Sequence, residues 1–377
     1  MNLRRVSAVA RKEVLHIVRD ARSLAMAIGS PMFLLMLFGY ALTLDVDRVP
    51  MAIWDQSNTT RSHDYVSRFA GSRYFSVRHS FDRYEDLVHA IDRGEVMMGL
   101  VIPRDFAQKI DAGRDAPVQL LVDGSDSNTA TIAIGYADVI SSMYAMDLVR
   151  EQNRFLAGRD PAIPLDVRPR VWFNEELESR NYIVPGLIAV IMMVIAAMLT
   201  SLTVAREWER GTMEQLISTP VKPGELILGK LLPYFAIGMC DVAIAVLMGE
   251  FLFHVSLRGN VALLFATSAI FLTGALAMGI LVSIATKNQL LASQVAVVTT
   301  FLPAFLLSGF IFAIANMPKV IQWITYLIPA RYFVVILKGI YLKGIGLEIL
   351  AGEVVLLIVF AIIVLGIAKL KFKKKLA

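Results

Sequence analysis

The sequence is poor in the residues from which soluble enzymes and metal centres are built. It has one cysteine, Cys240, which excludes a disulfide framework within the chain and a zinc cluster made of thiolates. Its five histidines, His16, His63, His79, His89 and His254, lie scattered, with no H-E-x-x-H pair. No G-x-S-x-G occurs and no pair of intramembrane aspartates, so an intramembrane hydrolase lacks its parts. Charged residues are only 18% of the chain, against about 25% in soluble domains. A wholly soluble protein is thereby excluded. No filter-like loop of an ion channel is evident. A sensor would need a cytoplasmic output domain, and the longest inner segment read below, 206–230, is too short for one.

What is abundant is apolar sequence, 56% of residues with a mean hydropathy of +0.61. A bilayer core about 30 Å thick takes roughly 20 apolar residues as a helix. Uncharged stretches of that length fall at 23–44, 181–205, 261–286 and 288–318. Two more, 231–253 with Asp241 and Glu250, and 349–368 with Glu353, carry charge. These predict a polytopic α-helical membrane protein with six transmembrane helices. The stretch 288–318 is long enough for a helix and a bent return. The first apolar run exceeds the roughly 7–15 residues of a signal core and has no A-x-A site after it. An uncleaved anchor bent at Pro31 is expected.

Basic residues set the orientation. Arg4, Arg5, Arg11, Lys12, Arg19 and Arg22 precede the first span, and the basic tail 369–377 holds Lys369, Lys371, Lys373, Lys374 and Lys375. Six spans put both termini on one side, which these cations make the cytoplasm. Segment 45–180 is then outside, with 22 acidic against 16 basic residues, a net of −6, while the remainder carries +11. The cations follow the membrane, so no nucleic-acid partner is called for. The outer segment reads as an inserted α/β extracytoplasmic domain between helices 1 and 2. Its strand candidates are 50–54, 74–77, 97–102, 118–122 and 167–173, alternating with helices at 58–69, 81–91, 104–110 and 128–155, and suggest a largely parallel sheet. The run 123–128, D-G-S-D-S-N, reads as a turn capping the last helix and lacks the spacing of a calcium loop.

Residues 1–22 predict an amphipathic interfacial helix. Leu3, Val6, Ala10, Val14 and Ile17 share one side and the arginines another, which suits anionic membrane lipids or a partner protein. Further on, G-E-L-I-L-G-K-L at 224–231 imitates a phosphate loop. Leu231 stands where a hydroxyl is needed and no strand precedes it, so it is a decoy. The loop around it turns at Gly211. Thr212 and Gln215 have the spacing of a capping box, Pro220 ends the short helix, and Pro223-Gly224 returns the chain to the membrane. That helix is either a displayed element parallel to the membrane or a plain connector.

The stretch AREWERGTMEQLISTPVKPGELILGKLLPY, 205–234, resembles the signature loop of ABC-2 type transporter permeases, in the drug-efflux-like branch with a large extracytoplasmic domain. LLSGFIFAIANMPKVIQWITYLIPARYF, 306–333, is similar to that family's outer re-entrant segment, with Ala313 where proline is common. The order of basic helix, span, outer domain and five-helix transmembrane region 181–377 matches as well. The resemblance implies a permease (membrane) subunit of an ATP-driven exporter in the bacterial inner (plasma) membrane. Hydrophobic or amphipathic drug-like molecules would leave the cytoplasm or inner leaflet, and lipid or polysaccharide export is the alternative, ahead of a membrane sensor. It implies no cofactor on this chain, with ATP and Mg on an ATP-binding partner subunit. A second permease, identical or paralogous, completes the pore, and a periplasmic adaptor of membrane-fusion type is admitted. Carried onto this sequence, Glu207, Glu209, Gly211, Thr212, Glu214, Gln215, Thr219 and Pro220 in the loop 206–230 form the joint to the ATPase. Ser308, Gly309, Phe310, Met317, Pro318, Pro329, Arg331 and Tyr332 form the outer gate. Asp241, roughly 16 Å beyond Lys230 along a helix, costs about 2.5–3.5 kcal/mol to insert. It is either on the substrate path or a hydrogen-bonded structural acid.

Overall fold

The computed structural model describes residues 2–42, 47–157, 173–174 and 178–372. The chain divides into two units, Met1–Thr43 with Val171–Ala377, and Leu44–Arg170.

The first unit opens with α1 (Leu3–Arg19), capped by the Asn2 side chain on the Arg4 amide, and α2 (Ala21–Ala41), which contains Pro31. The packed stripe of α1 differs from the expected one. Val6, Val9 and Glu13 are buried, whereas Leu3 and Val14 are exposed. Two residues of a later helix cause the rotation. Gly229 has no Cβ, and one built there would lie 2.6 Å from Val9 Cβ. Lys230 supplies a partner for Glu13.

The second unit runs β1 (Val49–Asp55), α3 (Thr60–Ala70), β2 (Phe75–Ser80), α4 (Tyr84–Asp92), β3 (Met98–Ile102), α5 (Phe106–Asp111), β4 (Gln119–Val122) and α6 (Ser127–Ala157). The sheet order is β2-β1-β3-β4, with β1 parallel to both neighbours and β4 antiparallel to β3. Alternate strand residues serve two faces. Met51, Ile53, Met98, Leu100 and Ile102 pack with Tyr65, Phe69 and Phe106, while Ala52 and Val101 pack with Leu87 and Ala90. Helix α6 adds Ala133, Ala137 and Tyr144 to the first face, and Arg68 of α3 meets Asp147 at 2.7 Å. Asp123 Oδ1 accepts the Ser125 amide at 2.9 Å, which holds its carboxyl below the usual range, and Asp126 accepts from Thr129 as α6 begins. The strand expected at 167–173 lies outside the described residues except for Phe173.

The first unit continues through α7 (Ser179–Glu209), α8 (Thr212–Ser218), α9 (Pro223–Leu247, prolonged by a π-turn Met248–Leu252), α10 (Val261–Thr286) and α11 (Gln289–Leu307). A 3-10 turn Ile314–Asn316 leads to α12 (Lys319–Thr325), α13 (Pro329–Lys338, prolonged by a π-turn Gly339–Lys343) and α14 (Leu347–Lys371). Nearly every residue from Ile183 to Ala197 is buried, so α7 is the central helix, apolar all round because neighbours surround it. Small residues admit them closely. At Gly279 of α10 a Cβ would stand 2.2 Å from Ala197 O, and Thr200 donates to Leu276 O at 2.8 Å across the same contact.

Among the described residues seven helices are long and apolar enough to cross a membrane, and α12 with α13 forms a pair bent by 84°. The chain is a polytopic helical membrane protein. One of the seven, Thr129–Glu151, is the part of α6 whose small side chains pack on the sheet. Another begins earlier than the sequence suggested. The span read at 231–253 is a helix from Pro223, so Glu225 and Lys230 are helical residues rather than loop.

Candidate functional site

The loop between α7 and α9 is shaped by Gly211, whose φ of +69° is left-handed and suits a residue without Cβ. This corrects the capping box. Gly211 is the N-cap of α8 and supplies no side-chain cap, so Thr212 is already in the helix. Its hydroxyl turns back and donates to the Glu207 carboxylate. Gln215 is exposed, one turn further on. Met213 is buried, and Leu216 and Ile217 pack against the bundle core, which leaves Glu214, Gln215 and Ser218 on the outer side of α8. At its end Thr219 Oγ1 donates to Leu216 O at 2.6 Å, and Pro220 O accepts from Arg5 Nη1 at 2.6 Å.

Beneath α8 is a charge cluster. Lys230 of α9, 1% exposed, donates to Glu13 of α1, to Glu207 Oε1 at 3.3 Å and to Thr203 O at 3.4 Å. Lys12 reaches the same Glu207 oxygen at 2.8 Å. One carboxylate of α7 thus joins α1, α8 and α9. A buried ion pair contributes little net stability, but removing one partner costs roughly 3–5 kcal/mol because the other stays buried and unpaired. Glu209 has a different task. It accepts the Gln289 amide at 2.8 Å and bonds the Gln289 side chain, tying the end of α7 to the start of α11. Glu225 accepts the Asn2 amide at 2.7 Å and the Lys222 amide at 2.9 Å. The structure therefore gathers Glu207 and Thr212 into one cluster, ties Glu209 to α11 and leaves Glu214 and Gln215 outward. Sequence reasoning missed Glu13, Lys12 and Lys230. The available signal was Glu13 itself, an acid on the stripe that also carries Val6, Val9 and Ile17.

At the other end of α7 the chain folds back after α11. Gly309 has φ +79°, Ser308 is buried with its hydroxyl accepting the Phe310 amide at 3.3 Å, and Phe310 is seated on Gly186. A Cβ at Gly186 would lie 2.3 Å from the ring. Lys338 Nζ lies 3.3 Å from the centre of the Tyr182 ring and donates to Gly309 O at 3.3 Å. Met317 O accepts from Gln322 at 2.9 Å, Pro318 is the N-cap of α12, and Pro329 opens α13. Arg331 stacks at 3.8 Å on Tyr326 and bonds Thr325, while Tyr332 donates to Tyr326 O at 2.7 Å. The outer side of α12 and of the turn after it stays apolar, with Trp323 76% and Leu327 76% exposed.

Asp241 is 2% exposed, and among the described residues neither carboxylate oxygen has a hydrogen-bond partner. The Ser268 hydroxyl of α10 is likewise buried and unpartnered. Gly238 meets Leu272; Asp241 lies one turn past that contact on α9, and Ser268 one turn before it on α10.

The profile of the family described as "ABC-2 family transporter protein" matches residues 21–370. The chain is 40% identical over 377 residues to the "Probable multidrug ABC transporter permease YbhS" of Escherichia coli strain K12, covering 100% of this chain and 98% of that one. It is 30% identical over 371 residues to "Probable multidrug ABC transporter permease YbhR" of the same organism, covering 98% and 99%. With its "Inner membrane transport permease YhhJ" the identity is 24% over 381 residues, covering 99% and 98%.

Proposed function

Because the chain belongs to the ABC-2 family of transporter proteins, whose permeases leave ATP hydrolysis to a separate subunit, we propose that it exports hydrophobic or amphipathic drug-like molecules. It crosses the bacterial inner membrane six times, since α6 is shared with the sheet, and carries the α/β unit outside with both termini inside. The pore needs a second permease, and the apolar outer side of α12 is the surface for it or for lipid. Residues 308–310, 317–318, 329 and 331–332 form the outer gate, and Asp241 offers a polar spot on the path of a cationic compound once α9 and α10 part.

The observation that carries this reading is the construction of α8. A plain connector needs no ionic anchorage, yet Glu207 fastens this seven-residue helix to α1 and α9 while Glu214 and Gln215 face outward. Such a helix moves with the bundle when a subunit pushes on it. The test is the permease with its ATP-binding subunit in lipid vesicles, with ATP-dependent movement of a hydrophobic cationic dye as the readout. Dye export supports the reading. Movement of labelled lipid with no dye export would replace it with lipid export.

A further inference from the structure

Beside the Lys230 cluster lies a cavity of about 130 Å³, bounded by Lys12, Glu13 and His16 of α1, by Arg206, Glu207 and Arg210 at the end of α7, and by Thr212. A single water needs roughly 10–15 Å³, so the space admits a polyatomic group with its hydration. Its charges do not balance. Glu13 and Glu207 are both occupied by Lys230, and Glu207 by Lys12 too. Among the described residues Arg206 and Arg210 are left without a carboxylate. Arg206 Nη1 lies 2.7 Å from His16 Nε2, and its Nε lies 3.4 Å from Gln289 Oε1. An arginine only donates, and neither contact offers it a carboxylate. The Arg210 side chain has no hydrogen bond or ion pair among the described residues.

Two guanidinium groups edging a polar cavity match the oxygens of a phosphate, which accept paired N–H groups and supply the missing negative charge. We propose that this cavity binds a phosphate group, carried by an anionic phospholipid headgroup or present as free phosphate. Bound there, it bridges α1 to the end of α7 at the point where α8 begins, and stiffens the joint from a site no exported compound occupies. The inference rests on this geometry alone and stands whichever molecule is exported.

The experiment uses full-length protein, delipidated in dodecyl maltoside micelles, which contain no phosphate. One arm adds phosphatidylglycerol and the other inorganic phosphate, and hydrogen exchange is followed in residues 3–19 and 212–218. Arg210→Gln removes an exposed, unpartnered side chain, so the fold is kept, and Arg206→Gln tests the second guanidinium. Each should weaken binding about tenfold or more, the factor for losing a hydrogen bond to a charged group. Arg11→Gln, on α1 but outside the cavity, should bind as the parent does. Protection by phosphatidylglycerol alone identifies a lipid headgroup, and protection by inorganic phosphate identifies the free ion. No protection in either arm, or full protection of Arg210→Gln, overturns the proposal.

Discussion

At one end of α7 the chain reverses through Gly211 into α8 and is fastened by charge, with Glu207, Lys230, Glu13 and Lys12 joining four elements. At the other end it reverses through Gly309 and is fastened by shape, with Phe310 seated on Gly186 and Arg331 stacked on Tyr326. The charged reversal buries Lys230, Glu13 and Glu207 and leaves a polar outer side. The aromatic reversal buries Phe310 and Tyr332 and leaves Trp323 and Leu327 bare. Separating an ion pair out of water leaves each charge buried and unpaired at a large cost, which suits the force-passing role proposed for α8. Packed rings have no such directional lock, which suits the outer gate proposed above.

The largest effect that can break this comparison is at Lys230. Lys230→Met leaves Glu13 and Glu207 buried without their shared cation and should cost about 3–5 kcal/mol, read as a fall in thermal unfolding midpoint in detergent. Adding Glu13→Leu should recover part of it. A midpoint equal to the parent's would mean that charge does not fasten this end. At the aromatic end, Gly186→Ala places a Cβ against Phe310 and should cost about 1–3 kcal/mol as overpacking. Phe310→Leu in the same chain should relieve that loss, and if it adds to it, ring and glycine are not the fastening. Of similar size is Thr212→Val, which removes one hydrogen bond to the Glu207 carboxylate at about 1.5–3 kcal/mol and should raise hydrogen exchange in α8 without lowering membrane yield. Orientation has its own check. In a Cys240→Ser background, Ser125→Cys should react with an impermeant thiol reagent from outside, and Ser218→Cys only after the inner face is opened.

How legible the two ends were in the sequence follows from the same contrast. Spans such as 181–205 and 261–286 are visible because apolar length is itself the signal, and the short strands of the α/β unit because β-rich runs alternate with turns. The chain reversal at Gly211 was visible as a glycine, but not its mechanism, since a left-handed residue and a capping box both begin helices. Lys230 was hidden because it lies seven residues into a helix that the sequence divides into loop and span. Its partner Glu13 is 217 residues away, and no local pattern joins such positions. The packed side of α1 was misjudged for the same reason. Its apolar stripe was read as facing lipid or a partner protein, while Gly229 and Lys230 selected Val9 and Glu13 instead.

The smallest effect on folding carries the largest functional consequence. Glu214 is exposed on α8, so Glu214→Lys should change stability by no more than about 0.5 kcal/mol and leave membrane yield at the parent level. If α8 is the joint to an ATP-binding subunit, the same substitution should repel a cleft that receives an acid. The measurement is copurification of that subunit with Glu214→Lys, together with transport in cells. The account predicts a normal yield of permease with the subunit and transport both reduced. Full copurification with full transport would contradict it and make α8 a connector.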